Sequence, residues 1–388
     1  ADGETSFAAP VASVPSLGWS TALLVDGPGP KLRTSLKVSA TKLENDLIKI
    51  TFDRNGEITS VIDKTADREL IKAGEKANRL VAYEDKPMNW DAWDIDRYFE
   101  EQFWPLADAK ARIEVVETGP YRAAIRIERP YHNSKVVQVV SLEEGARQVT
   151  FDTFIDWQER QQVLKALFPF DLNASEIRSE IQFGHVKRAT HRNTSWDRAR
   201  FEASMHRWVD ISEADFGAAL INDAKYAYDA VEQLVRVTLV RGSTFPSPEA
   251  DLGEHHFRYA LFVHEGVSDL EQVQVAAERF NNPIAAIGDT TPRAEPAGTG
   301  PSFSFASVDT DSVTLETVKQ AENGDGLILR VFEHANRRAR ATIGFGLPVK
   351  SVELVNLMEE GGEKIAVKDG KVTLSLRPFE IATLRIRT

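Results

Sequence analysis

Hydrophobic and polar residues alternate with period two along most of the chain. The pattern is clearest at 47–53 (LIKITFD), 122–130 (RAAIRIERP), 135–142 (KVVQVVSL), 147–157 (RQVTFDTFIDW), 234–240 (LVRVTLV) and 327–333 (LILRVFE). Successive side chains of a strand point to opposite faces, so this alternation predicts antiparallel strands with one face on a core and one toward water. Gly, Asn, Asp and Pro punctuate the runs, and Asn55-Gly56 predicts a hairpin turn with both positions at positive φ. Helix is expected in one place, 268–280: Ser268 and Glu271 are spaced as a capping box, Leu270, Val273, Ala277 and Phe280 share a face, and Pro283 stops it. The fold class is therefore all-β. Residues 1–35 read as the trailing strand of a preceding small β domain plus linker, its partner strands lying outside this chain. Residues 36–285 form a large β-sandwich, 286–301 a linker rich in Pro, Gly, Thr and Ala, and 302–388 a small β-sandwich.

Composition narrows the partners. The 388 residues hold 47 Lys+Arg against 59 Asp+Glu, a formal charge of −12. Binding a polyanion relies on clustered cations, so nucleic acid and an anionic membrane are not expected partners. There is no cysteine, hence no disulfide framework, thiolate metal site or thiol nucleophile. No apolar run approaches the roughly 18 residues of a membrane span, and the first residues lack a secretory signal pattern. The expected location is cytoplasmic. No initiator methionine is present, which leads to the expectation that the chain is the later part of a longer protein.

The densest chemistry lies at 83–96 (YEDKPMNWDAWDID), where Tyr83, Trp90 and Trp93 are interleaved with Glu84, Asp85, Asp91, Asp94 and Asp96. Flat rings beside carboxylates suit a sugar, which stacks its C–H face and offers hydroxyls for hydrogen bonding. The plain alternative is a solvated loop anchored to the core by its tryptophans. A second cluster has His191, Asn193, Trp196 and Asp197, followed by Asn222, Asp223 and Tyr226; these residues serve equally well as turns bracing a sandwich. A third holds Arg241, His255, His256 and His264. Neighbouring histidines on a strand face opposite ways, which argues against one metal ion between His255 and His256, and no metal site is expected in this chain.

Five ordered blocks, 52–70, 78–96, 191–202, 206–229 and 250–261, resemble the C-terminal half of glycoside hydrolase family 38 α-mannosidases of the bacterial and cytosolic type. The resemblance implies a galactose-mutarotase-like antiparallel super-sandwich followed by a smaller C-terminal β-sandwich. It also implies that the nucleophile, the acid/base carboxylate and a zinc or cobalt ion belong to an N-terminal catalytic domain lying outside this chain. Retaining cleavage needs two carboxyl groups about 5–5.5 Å apart across the glycosidic bond, and this chain alone is expected to be inactive. Its expected partners are that domain and, through the full-length enzyme, an α-mannoside; a homo-oligomer is compatible with this reading. By position, Trp90, Asp91, Trp93, Asp94 and Arg241 are the expected contributors to the sugar pocket. The alternative is a free-standing carbohydrate-binding module of the same fold. The fragment reading further predicts an unusually apolar stretch of surface.

Overall fold

The computed structural model describes residues 14–22, 32–266, 270–288 and 302–388. The chain divides into two compact units, one of residues 31–181 and 186–283, the other of 1–30, 182–185 and 284–388.

The larger unit is a super-sandwich. Its nine-stranded sheet runs, in spatial order, Gly184–Ala189, Glu176–Ile181, Trp208–Ser212, Gly217–Asn222, Gly253–His264, Gln148–Trp157, Ser134–Glu143, Arg122–Tyr131 and Arg112–Thr118. A six-stranded sheet runs Ala203–Ser204, Ala227–Val231, Leu234–Arg241, Gln162–Pro169, Arg79–Glu84 and Phe103–Pro105, and a five-stranded sheet spans Lys37–Ser39 to Arg68–Glu69. The alternation seen in the sequence decides which faces meet. Val149, Phe151, Ile155 and Trp157 of one strand join Leu164, Ala166 and Phe168 of another in a single buried core. Fully burying each large side chain contributes about 1.5–3 kcal/mol. Register is fixed for the same reason: with Gln148–Trp157 paired on both sides, a slip of one residue would turn Phe151 and Ile155 away from the core.

The expected helix is Leu270–Asn281. Leu270, Val273, Ala277 and Phe280 are all buried, packed with Trp208, Ala219, Ile221, Ala260 and Phe262 on the face of the nine-stranded sheet away from the main core. Ser268 lies outside the described residues, as does most of the expected linker.

In the other unit a three-stranded sheet (Ala306–Val308, Ala339–Phe345, Lys371–Leu376) and a five-stranded sheet (Val313–Gln320, Leu327–Glu333, Ile381–Arg387, Ser351–Val355, Glu363–Ile365) form a β-sandwich around Leu329, Val331, Ile343, Val352, Leu384 and Ile386.

Two expectations need correction. The strand Gly18–Ser20 has a partner inside the chain: it pairs antiparallel with Ser302–Ser304 along one edge. The hairpin at 55–56 exists, but only Gly56, at φ +72°, is left-handed. Asp53 replaces the second positive-φ residue: its carbonyl accepts from Gly56 N and its carboxylate from Asn55 N and Glu57 N. This closes a longer turn with a bulge at the glycine.

Candidate functional site

Arg79–Glu84 and Leu234–Arg241 both pair antiparallel with Gln162–Pro169, which lies between them. They therefore run the same way, and the loops that follow them leave the sheet at the same end. Val163 is opposite Tyr83 on one side and Arg241 on the other. Two strand spacings, about 10 Å, separate the outer two strands, a gap that an arginine and a carboxylate can close. Arg241 does so: its Nε and Nη2 donate to Asp85, with Nη2 to Oδ1 at 2.9 Å, and Nη2 also donates to the carbonyl of Asp94. Asp85 is 1 % exposed. Arg241, expected in the sugar pocket, ties the loop 85–96 to the sheet.

Asp91 makes the second tie. Its Oδ2 accepts from Thr244 N at 2.6 Å and Thr244 Oγ1 at 2.9 Å, and its Oδ1 from Phe245 N at 2.8 Å. Burial opposes its ionisation, but these hydrogen bonds outweigh burial and hold its carboxyl below the usual aspartate range. Asp96 accepts from Met88 N and Tyr98 Oη, each at 2.8 Å. Asp94 is different: it is exposed, and among the described residues its carboxylate meets only the adjacent Ile95 N, at 2.9 Å.

With Asp85 and Asp91 turned inward, the loop turns its rings outward. Trp90, Trp93 and Phe245 are 61, 66 and 51 % exposed. Their ring centroids lie 5.8 to 6.3 Å apart, with Trp90 and Trp93 edge-on at 75°. Trp90 is held at φ +58°, a conformation rare for a bulky residue. The tryptophans do not anchor this loop; Ile95 and Phe99 do, packing on Val81, Tyr83, Val163 and Leu167. Phe103, half exposed, lies tilted against Tyr83 at the same end of the sheet, ring centroids 6.0 Å apart.

The second cluster is built otherwise. Thr194 caps the short helix Ser195–Arg198 in a capping box with Asp197, His191 Nδ1 lies 3.5 Å from Asp197, and Asn193 is exposed. Trp196 is 84 % exposed and makes no ring contact among the described residues. Asn222 accepts from Lys225 N and donates to the carbonyl of His206, Asp223 pairs with Arg258 at 3.0 Å, and the Tyr226 hydroxyl meets the Asp223 carbonyl. These side chains close turns, and the structure does not bring them to the aromatic loop.

Beside that cluster lies a network that the pattern reading overlooked. Lys165, wholly buried, donates to Glu202 and to Asp229 (2.8 Å); Arg236 donates to Asp229 (2.6 Å) and Glu100; Arg192 holds Glu100 through two bonds of 2.9 and 3.0 Å. Burial pushes Glu100 upward, but hydrogen bonds and charge from Arg192 and Arg236 prevail and bring its carboxyl down to about 2. The sequence signal was a lone lysine inside the apolar run VLKALFP and a lone arginine inside LVRVTLV. A cleft of about 280 Å³ opens beside it, lined by Tyr83, Glu100, Phe103, Arg192 and Arg236.

Among the described residues no three His, Asp or Glu side chains gather as a metal-ligand set. His255 Nε2 meets the carbonyl of Asp251 at 2.8 Å, while His256 packs on Phe154. The described residues do not offer a ligand set that fits a zinc or cobalt ion. No helix among the described residues is long and apolar enough to cross a membrane.

Two family descriptions match the chain in order: Glycosyl hydrolases family 38 C-terminal domain at residues 43–249, and Glycosyl hydrolases family 38 C-terminal beta sandwich domain at 312–384. Alpha-mannosidase 2C1 of Homo sapiens is 36% identical over 348 residues, covering 88% of this chain and 33% of that protein. Alpha-mannosidase of Saccharomyces cerevisiae is 29% identical over 382 residues, covering 89% and 34%. The chain thus spans about a third of the length of these curated relatives. In fold it is similar to an alpha-mannosidase from Enterococcus faecalis V583, with a TM-score of 0.78 at 18% identity over 93% of this chain and 44% of that one. With more than half its length inside the first of these family matches, the chain belongs to glycosyl hydrolase family 38, of which it carries the C-terminal region.

Proposed function

We propose that this chain is the non-catalytic C-terminal portion of a retaining, metal-dependent α-mannosidase. It packs against an N-terminal catalytic portion and lends the loop 85–96, with Arg241 behind it, to the rim of the sugar pocket. The observation that carries this reading is the pair of family 38 C-terminal matches, in order, on a chain one third the length of its mannosidase relatives. The exposed Trp90, Trp93, Phe103 and Phe245 at one end of the six-stranded sheet supply the apolar surface that sugar contact at the rim would use. The nucleophile, the acid/base carboxylate and the zinc or cobalt ion are assigned to the N-terminal portion, the substrate is an α-mannoside, and the enzyme is cytoplasmic.

The test compares the 388-residue chain with the full-length parent on an aryl α-mannoside, with zinc or cobalt added. The parent turns the substrate over and loses activity to a chelator, while the chain alone stays at background. Turnover by the chain alone would place the catalytic groups within it and overturn the proposal. A second reading, a carbohydrate-binding module acting without a catalytic portion, draws on the same exposed rings; an inactive parent whose C-terminal chain binds mannosides would favour it.

A further inference from the structure

We propose that Trp90, Trp93 and Phe245 form a preorganised stacking subsite for a single pyranose ring, with the exposed Asp94 as a directional acceptor. Asp91, Asp85 and Arg241 are positioning residues that touch the loop and not the sugar. This rests on the glycosidase reading and deepens it, because it assigns different work to residues of one loop.

Three observations lead there. First, the loop's carboxylates are accounted for internally: Asp85 by Arg241, Asp91 by Thr244 and Phe245, Asp96 by Met88 and Tyr98, and Glu84 by Lys86. Asp94 is the carboxylate of this loop that is itself exposed, with only the adjacent Ile95 N on it among the described residues. A site so built offers aromatic faces and few directional contacts, so it reads the face of a ring more than the configuration of its hydroxyls. Second, the rings are fixed before any ligand arrives. Trp90 sits in left-handed backbone, and each loop is clamped to the other by hydrogen bonds of a buried carboxylate. Preorganisation of this kind lowers the ordering cost of binding, and nothing in the core requires the rings to point outward. Third, size favours a sugar over a protein. Three rings half to two-thirds exposed offer on the order of 400 Å², about half of what one side of a stable protein interface buries. Centroid separations of about 6 Å put the three rings in mutual contact as one small platform.

The experiment is a titration of the ¹⁵N-labelled 388-residue chain, following its tryptophan indole N–H signals. Trp90 and Trp93 are assigned with W90F and W93F, which keep an aromatic face and the fold. Methyl α-mannoside and methyl α-glucoside, each to about 100 mM, should shift these two signals selectively, with millimolar dissociation constants within about threefold of each other. W90A and W93A should each weaken binding about tenfold, and D94A by less. D91A should weaken binding of both sugars about equally and move the Trp90 and Trp93 signals in the free chain, with D91N recovering part of the affinity. A purely structural role for Asp91 would leave sugar affinity unchanged.

Indole signals indifferent to both sugars would overturn the proposal. So would a preference of more than about tenfold for one epimer, since hydroxyl configuration would then be what is read. Should the same two signals respond to protein concentration, or be masked only in the full-length parent, the rings are a protein contact and the subsite is refuted. The two readings fail separately: silent indoles with an active parent sink the subsite alone, and bound sugar with an inactive parent sinks the mannosidase reading alone.

Discussion

Two loops pack on the same face of the six-stranded sheet, and each sets tryptophan beside aspartate: 85–96 and 191–202. The first is tied down by carboxylates that take backbone and guanidinium donors, and it presents a group of mutually touching rings. The second is tied down by charges at its ends, Arg192 to Glu100 and Glu202 to Lys165, and its one tryptophan stands alone. A tryptophan beside an aspartate carries no fixed meaning. Whether its ring joins a group of rings depends on a second segment arriving beside it, as 241–245 does for 85–96.

The largest effect that would sharpen this contrast is at Lys165. Removing one member of a buried ion pair leaves the others uncompensated, at a cost of about 3–5 kcal/mol. Lys165→Met should therefore lower the urea midpoint strongly and loosen the 191–202 loop, while leaving the Trp90 and Trp93 indole signals of the remaining folded protein in place. Equal disturbance of both loops would show that they are not independent structures.

Next comes Asp91→Ala, which strands the amides of Thr244 and Phe245. Loss of these bonds should cost about 1–3 kcal/mol in unfolding experiments, and the effect should be confined to the 85–96 and 241–252 segments by hydrogen exchange. Protection lost uniformly across the sheet would contradict a local tie.

Acid provides a third probe. Because the Glu100 carboxyl is held at about 2 against an ordinary 4.5, its stabilising contribution is complete above about 4.5 and is lost as pH falls toward 2. Glu100→Gln should flatten that part of the stability–pH curve, measured by thermal unfolding between pH 5 and pH 2. An unchanged curve would place the acid sensitivity elsewhere, for instance at Glu44, whose carboxyl three lysines bring equally low. The smallest effect is expected from Trp196→Ala, within about 0.5 kcal/mol, as for a surface change that breaks no contact.

Much of the architecture was legible in the sequence because period-two alternation reports directly which face of a strand is buried. Gln148–Trp157 alternates as its residues suggested, and the helix Leu270–Asn281 buries the four side chains chosen for it. What stayed hidden depended on distance along the chain. Arg241 and Asp85 are 156 residues apart, and Asp91 and Thr244 are 153 apart. No local pattern joins them, so nothing in the sequence shows that Arg241 clamps a loop or that Asp91 ties one. Phe245 was passed over because it belongs to a Pro- and Ser-rich loop without periodicity. Lys165 was overlooked for the opposite reason: the apolar run around it made a convincing strand. The partner of Gly18–Ser20 was misplaced because a three-residue strand carries no sign of where its ladder lies.

The account turns on where the catalytic groups are, and one assay reaches that point directly: hydrolysis of an aryl α-mannoside by this chain and by its full-length parent, side by side with zinc or cobalt added. Background rates for the chain and chelator-sensitive turnover for the parent are the predicted result. Turnover by the 388 residues alone would contradict it.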